Sequence, residues 1–431
     1  MTNTYADDLL ERSGRLIDSE QGPTDPRFTN PMDTGLADFG GGIALIASFS
    51  HVLALQGEEG LTLVDTSAPA LARGVADSLR RWSTDPVDTI IYTHGHLDHV
   101  GGAPLFVSEA GAAGRRRPRV VAHSAVADRF HRYDATEGYN AWVNARQFRN
   151  QQLLGGRPER WTVDWAWPDV SYVDRLALDL GGRRAVLHHD RGETDDHTWI
   201  WLPEERTVCG GDFLTWVFPN AGNPQKVQRY PAEWARALRT MAALEPELFL
   251  PAHGLPIAGT GRITKVLTDA ATALESLLEQ TLSMMNEGAP LDEVLHSVRL
   301  PDDLAGRPYL QPIYDEPEFV LRNIWRLYGG WWDGDPSSLK PARRTDLAAE
   351  IAGLAGGADR LAARALELSD SGEHRLACHL AELAAGAEPH GAAVHSARAE
   401  VYRRRRRAET SLMARSIYGD AAGRSAEIAD A

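Results

Sequence analysis

The feature that most restricts this chain is THGHLDHVGG at 93–102, which continues the apolar, β-branched run DTIIYT at 88–93. Four side chains able to hold a metal, His94, His96, Asp98 and His99, fall within six residues, and a Gly-Gly turn follows. Alternate side chains of a segment leaving a strand point the same way. His94 and His96 can therefore share one ion while Asp98 and His99 turn towards a second. Imidazole and carboxylate together suit zinc, and less selectively iron or manganese.

From about 41 to 256 short β-rich runs alternate with turns and helical stretches, with Gly and Pro at the boundaries, so this half reads as α/β. Strands are expected at 43–48, 51–57, 61–66, 88–93, 119–123, 184–189, 198–203 and 207–212. Helices are expected at 69–81, with Pro69 near the first helical position, and at 232–244. The stretch 128–174 breaks this rhythm with Phe130, Tyr133, Tyr139, Trp142, Phe148, Trp161, Trp165 and Trp167, and reads as an insertion able to wall a pocket. After 261 apolar residues recur at helical spacing over 263–286, 291–298 and 316–328, and WWDGDPSSLKPA at 331–342 reads as a boundary turn. From 346 to 418 an Ala-rich stretch predicts four helices, separated near 369–372, 388–391 and 407, in a pattern similar to tetratricopeptide-type hairpins. The expected domains are 1–262 (catalytic), 263–345 (helical), 346–420 (helical hairpins) and a tail at 421–431. Arg403 to Arg407 reads as a solvated face at a helix C-terminus.

Composition removes several function classes. The 431 residues are 43% hydrophobic and 24% charged, a globular balance. Against 45 Lys and Arg stand 60 Asp and Glu, and a net charge of −15 repels a polyanion, so no nucleic-acid partner is expected. Cys209 and Cys378 are too few for a disulfide framework, and Cys209 reads as a small buried strand residue. The opening MTNTYADDLLERSGRL has no apolar core of a leader, and no run reaches the ~18 apolar residues of a membrane span. These features together read as cytoplasmic, with no membrane partner.

The HxHxDH pattern resembles the metallo-β-lactamase superfamily, which implies an αββα sandwich and further ligands downstream. In that pattern a third ligand for the first ion, commonly His, is expected near GETDDHTW at 192–199; Glu193 stands there, with His197 as the alternative. The resemblance also implies a bridging carboxylate, matched by Asp212 in CGGD, and a last ligand in a PxHG turn, matched by His253 in PAHG. Asp195, Asp196 and His197 are then expected to orient ligand imidazoles by hydrogen bonds. Glu in the third position points to the alkyl sulfatase branch, and 309–342 is similar to the all-α dimerisation region of that branch, so a homodimer is implied. Two departures stand out. The chain ends at Ala431 without the branch's sterol-carrier-like domain, and Asp212 replaces its Glu, followed by FLTWVFPNAGNPQKVQRY rather than an Asn/Arg-rich stretch.

The resemblance implies a dinuclear hydrolase, with two divalent ions roughly 3.5–4 Å apart supplying hydroxide at neutral pH. Asp98 and Asp212 are the expected catalytic carboxylates. The expected substrate is an ester with an apolar organic part, foremost an alkyl or aryl sulfate. Because the ligand set leaves the centre near neutral, an anionic ester needs a nearby cation, for which Lys226, Arg229 and Arg191 are candidates. Asn223, Tyr139 and Trp216 complete the candidate substrate contacts. The alternatives are a lactone, a phosphoester or another ester at the same site, a redox di-iron protein, and a catalytically silent scaffold whose tail binds partners.

Overall fold

The computed structural model describes residues 4–19, 29–148 and 163–431, with two short strands at 153–154 and 157–158. Trp161 lies outside the described residues. The framework divides into two units, Met1–Glu137 with Thr162–Gly329, and Gly138–Trp161 with Gly330–Ala431.

The first unit is built on two sheets. One runs in the order β1 (Leu36–Asp38), β2 (Ile43–Ile46), β3 (Val52–Gly57), β4 (Gly60–Val64), β5 (Val87–Ile91), β6 (Arg119–His123) and β9 (Val170–Tyr172). Its first four strands pair antiparallel, whereas β4, β5, β6 and β9 run parallel. Parallel neighbours need crossovers, and helices supply them. These are α2 (Ala72–Trp82) between β4 and β5, α3 (Leu97–Val100) with α4 (Ala103–Ala112) between β5 and β6, and α5 (Ala125–Ala135) after β6; α6 (Glu137–Phe148) falls, from Gly138 on, in the second unit. The other sheet runs β10 (Arg175–Asp179), β11 (Arg184–His189), β12 (Thr198–Leu202), β13 (Thr207–Gly211), β14 (Leu248–Pro251) and β15 (Ile257–Ala258). Only β13 and β14 are parallel there, joined across α7 (Pro231–Ala243).

The period of two along each strand divides the core. Val52 and Ala54 face outward to Val75, Leu79 and Phe106 of the helices, while Leu53 and Leu55 face inward among Leu187 and Ile200 of the second sheet. On the far side Trp234, Leu238 and Met241 of α7 and Ile263 and Leu267 of α8 (Thr260–Asn286) join that inner core. The result is an αββα sandwich. Leu9, Leu16 and Ile17 of α1 (Thr4–Ser19) enter the same core, as do α9 (Leu291–Ser297), α10 (Asp302–Ala305) and α11 (Pro317–Gly329) through Val294, Leu304, Val320 and Ile324.

The second unit carries β7 (Leu153–Leu154), β8 (Arg157–Pro158), α12 (Pro336–Leu339), α13 (Arg344–Ala355), α14 (Ala358–Asp370), α15 (His374–Ala387), α16 (Ala392–Ala408) and α17 (Leu412–Ala429). Ala352, Ala358, Ala362, Ala384 and Ala385 form its small-residue core.

The eight expected strands are present, but several other expectations change. The helix expected from Pro69 starts at Ala72, because Asp65 and Ser67 hold left-handed φ values of 61° and 66° and prolong the turn. Four rings of the aromatic stretch pack against one another. Phe130 is buried and stacks on Trp165 at 4.2 Å, and Tyr133 and Trp167 join them. Five helices replace the four expected in the tail, since Gly356 and Gly357, at φ 85° and 121°, break the first stretch. The Arg run is paired with its own acids: Arg403, Arg404 and Arg407 lie against Glu400, and Arg405 against Glu409. Among the described residues no helix is long and apolar enough to cross a membrane.

Candidate metal centre

All seven expected ligand side chains sit at strand ends of the two sheets, the usual place for a site in an open α/β sheet. The chain leaves β5 with His94 and His96, then makes one helical turn, α3, that carries Asp98 and His99. That turn packs hard against its neighbours: a Cβ at Gly102 would lie 2.0 Å from the Thr66 carbonyl oxygen, and one at Gly101 2.5 Å from Pro69 Cδ. The Gly-Gly pair thus provides space rather than unusual dihedrals. Glu193 comes from the β11–β12 connection, Asp212 follows β13, and His253 follows β14.

The donors fall into two groups, His94 with His96 and Asp212, and Asp98 with His99 and His253; within each, one ligand atom per residue lies within 4.8 Å of the others. Asp212 faces both. Its Oδ2 is 3.9 Å from His94 Nε2, while Oδ1 is 3.5 Å from His99 Nε2 and 3.6 Å from His253 Nε2. Asp98 Oδ2 is 3.5 Å from His99 Nε2 and 3.4 Å from His253 Nε2, and Glu193 Oε1 is 3.8 Å from His96 Nδ1. His99 Nε2 and Asp212 Oδ1 are buried without a hydrogen-bond partner. Buried polar atoms are normally paired, so two such orphans facing each other fit a bound cation. Nitrogen and carboxylate oxygen donors are also the set that zinc and related divalent ions take.

Charge agrees with geometry. Burial depresses the pKa of His94 and His96 well below the usual histidine range, aided by His99 for the former and Arg129 for the latter. Burial acts the same way on His99 and His253, yet Asp212 and Asp98 overcome it and raise both. Burial would raise the Asp212 carboxyl, but His99 and His253 hold it well below its ordinary value. Carboxylates thus concentrate negative potential where the donors converge.

A second layer of hydrogen bonds orients these groups. Asp65 Oδ2 lies 2.8 Å from His99 Nδ1, and Asp65 accepts from Thr93 N at 2.8 Å and from Thr93 Oγ1 at 2.7 Å. Asp196 Oδ2 accepts from Gly95 N at 3.0 Å, between His94 and His96, and from Arg129 Nε at 2.7 Å. Asp195, more exposed, pairs with Arg129 and Arg132. His197 is not aimed at the donors: its Nε2 accepts from Asp212 N at 3.1 Å and its ring stacks on Phe213. The PAHG turn is held by His51, whose Nε2 meets Gly254 O at 2.8 Å. Glu193 accepts from Asn220 Nδ2 at 2.6 Å and pairs with Arg229 Nη1 at 2.5 Å; burial still raises its carboxyl to about 7.

The expected substrate contacts fare differently. Arg229 is buried and committed to Glu193, so it is not a free anion-binding cation. Lys226 lies in the same loop, its amine lowered to about 8 by burial and then by Arg229. Asn223 is buried, with Nδ2 unpartnered. Trp216 is corrected from substrate contact to packing residue: it is 0% exposed, donates to Leu255 O and presses on Gly254. Tyr139 is 63% exposed on α6 and belongs to the second unit. Arg191 pairs with Glu233 and stacks on Tyr230. Cys209 is buried, its thiol raised to about 12 by burial.

Sequence reasoning missed Asp65, His51, Arg129, Asn220 and Tyr314. Tyr314 is partly buried, and burial together with the charges of Glu193 and Asp98 pushes its phenol well above the usual value. Only Asp65 had a local signal, an acid closing the apolar strand LTLV that neighbours β5.

The fold and donor set define a metal-dependent hydrolase of the metallo-β-lactamase type. Residues 45–253 match the metallo-β-lactamase superfamily model, and residues 290–427 match the alkyl sulfatase dimerisation model. The chain belongs to that superfamily, in the branch that joins the two. It is 26% identical over 379 residues to a linear primary-alkylsulfatase of Pseudomonas sp. (strain ATCC 19151), covering 84% of this chain and 72% of the relative. It spans only 56%, 54% and 61% of three further sulfatases that it matches. It is 37% identical over 307 residues to the 2,4-dinitroanisole O-demethylase subunit alpha of Nocardioides sp. (strain JS1661), covering 68% of this chain and 80% of the relative. The solved stereoselective inverting sec-alkylsulfatase Pisa1 from Pseudomonas sp. superposes with a TM-score of 0.81 at 20% identity, over 96% of this chain and 70% of that one, which carries the fold.

Proposed function

We propose that this protein hydrolyses sulfate esters of apolar alcohols or phenols with two divalent cations, zinc foremost. The observation that carries the dinuclear reading is Asp212, whose two oxygens face two separate donor groups. His94, His96 and Glu193 would hold one ion, and Asp98, His99 and His253 the other, with Asp212 between them. When bound, such a pair makes water a nucleophile at neutral pH and stabilises negative charge developing on a substrate oxygen. Within the chain, Asp65 fixes the His99 tautomer, Arg229 neutralises Glu193, and Tyr314 stays protonated and able to donate. Lys226 is the cation left to meet a sulfate oxygen. The alkylsulfatase relatives support this substrate class. The region that matches the dimerisation model supports a homodimer.

The relative named for O-demethylation of 2,4-dinitroanisole favours a second reading, cleavage of a neutral aryl methyl ether at the same centre. With Arg229 committed to Glu193, only Lys226 would need to differ in use. Metal analysis followed by turnover of an alkyl sulfate, an aryl sulfate, a lactone, a phosphoester and an activated anisole tests both. Fewer than two metals per chain overturns the dinuclear reading, and a preference for the anisole over both sulfates replaces the first substrate class with the second.

A further inference from the structure

Between Asp212 and α7 the chain runs through 213–230 without regular secondary structure, yet this loop delivers both groups that hold Glu193, Asn220 and Arg229. Its course is set by bonds to the segment 311–323. Phe218 N donates to Gln311 O at 2.9 Å, and Gly222 N donates to Asp315 Oδ2 at 2.7 Å, Asp315 being fully buried. Gly222 lies directly on the start of α11: an added Cβ would stand 2.2 Å from Phe319 C and Val320 N. The third tie is Asn323 on α11. Its Nδ2 donates to Arg229 O at 2.9 Å, and its Oδ1 accepts from Gln228 Nε2 at 2.9 Å and from Arg229 N at 3.4 Å. One side chain therefore engages both backbone polar groups of Arg229, as a neighbouring strand would.

From that anchored backbone the Arg229 side chain, 2% exposed, bonds Glu193 twice, at the carboxylate and, 3.1 Å away, at the backbone carbonyl. A buried guanidinium holds its partner only where its own backbone is fixed, since desolvation penalises any loosened pair. We propose that Asn323 is a positioning residue for the metal centre. By clamping Arg229 it keeps Glu193 turned towards His96, so a helix in the region matched to the dimerisation model is a working part of the site. The inference rests on the reading of Glu193 as a ligand.

The test is titration of the metal-depleted full chain with zinc alone, against a competing chelator. Asn323→Ala should weaken one of the two zinc affinities by about 10- to 100-fold, the range seen when an outer partner of a ligand is lost, and leave the other unchanged. Asn323→Asp keeps both acceptor contacts but sets a carboxylate oxygen against the Arg229 carbonyl oxygen, so it should weaken the same zinc at least as much as Ala. It also carries the test should the Ala variant not fold. Arg322→Ala, on the exposed side of the same helix, should bind as wild type. In an Arg229→Met background Asn323→Ala should add nothing, because it acts through that side chain. Wild-type affinity in the Asn323 variants, equal loss at both zincs, or full additivity with Arg229→Met overturns the inference. Glu193→Ala separates the two ideas. If it keeps both zincs at wild-type affinity, the ligand reading itself fails; if it loses one while the Asn323 variants lose none, only the inference fails.

Discussion

The two sides of the donor set are made in different ways. His94, His96, Asp98 and His99 come from one short stretch, a strand end followed by a single helical turn, and their divergence follows from backbone geometry alone. Glu193 is held instead by Asn220 and Arg229, and Arg229 by Asn323, three segments brought together by the fold. The first side takes its arrangement from local structure and is braced by Asp65 and Asp196, while the second depends on a helix far along the chain.

The largest effect is expected from deleting a donor of the Asp98–His99–His253 group. His99→Ala or His253→Ala should remove the ion of the Asp98–His99–His253 group and lower turnover by at least about 10²- to 10³-fold, the loss typical of removing one electrostatic stabiliser. Metal counting together with a rate assay checks this, and full metal with full rate in either variant breaks the ligand assignment. Asp65→Asn should leave His99 in place but free its tautomer, weakening the same ion by about 10- to 100-fold. Equal zinc affinity in that variant would mean that the local side needs no outer support. Asn220→Ala removes one of two partners of Glu193, a hydrogen bond to a charged group, and should weaken the other ion by about 10-fold. No loss in that variant would mean that Arg229 alone holds Glu193.

Acidity probes the two sides together. Binding expels the protons that Asp212 and Asp98 draw onto His99 and His253, so zinc affinity should fall as pH drops, by up to about 10-fold per unit for each proton released. For folding of the metal-free chain the sign reverses. A raised histidine pKa adds stability below its ordinary value near about 6.5, and that stability is lost as pH climbs through the raised value. The melting gap between metal-free wild type and His253→Gln should therefore be widest below about pH 6.5 and narrow above it; a gap that grows with pH contradicts the assignment. The smallest effect is expected in the second unit, where Arg404→Ala breaks surface pairs with Glu400 and Asp370 and should cost no more than about 1 kcal/mol.

Much of the fold was legible because alternating apolar strands and Ala-rich helices carry their period in the sequence. The edge strands β1, β10 and β15 were not, since β1 and β15 hold only three and two residues and β10 buries none of its five, and the left-handed turn at Asp65 and Ser67 displaced the start of α2. The aromatic stretch misled for a related reason: Phe130 and Trp165 signal burial, and composition does not say whether a buried ring faces a ligand or another ring. The same ambiguity promoted Trp216 and Arg229 to substrate contacts.

By itself the sequence brought the candidate donors His94, His96, Asp98 and His99 together and marked the strands, because HxHxDH at a strand end and the period of two are local facts. Tertiary structure alone decided that Asp212 faces both donor groups, that His197 turns to a backbone amide, and that Asn323 reaches Arg229. Those relations join residues tens to more than a hundred positions apart, and no local propensity encodes the angle at which two distant side chains meet.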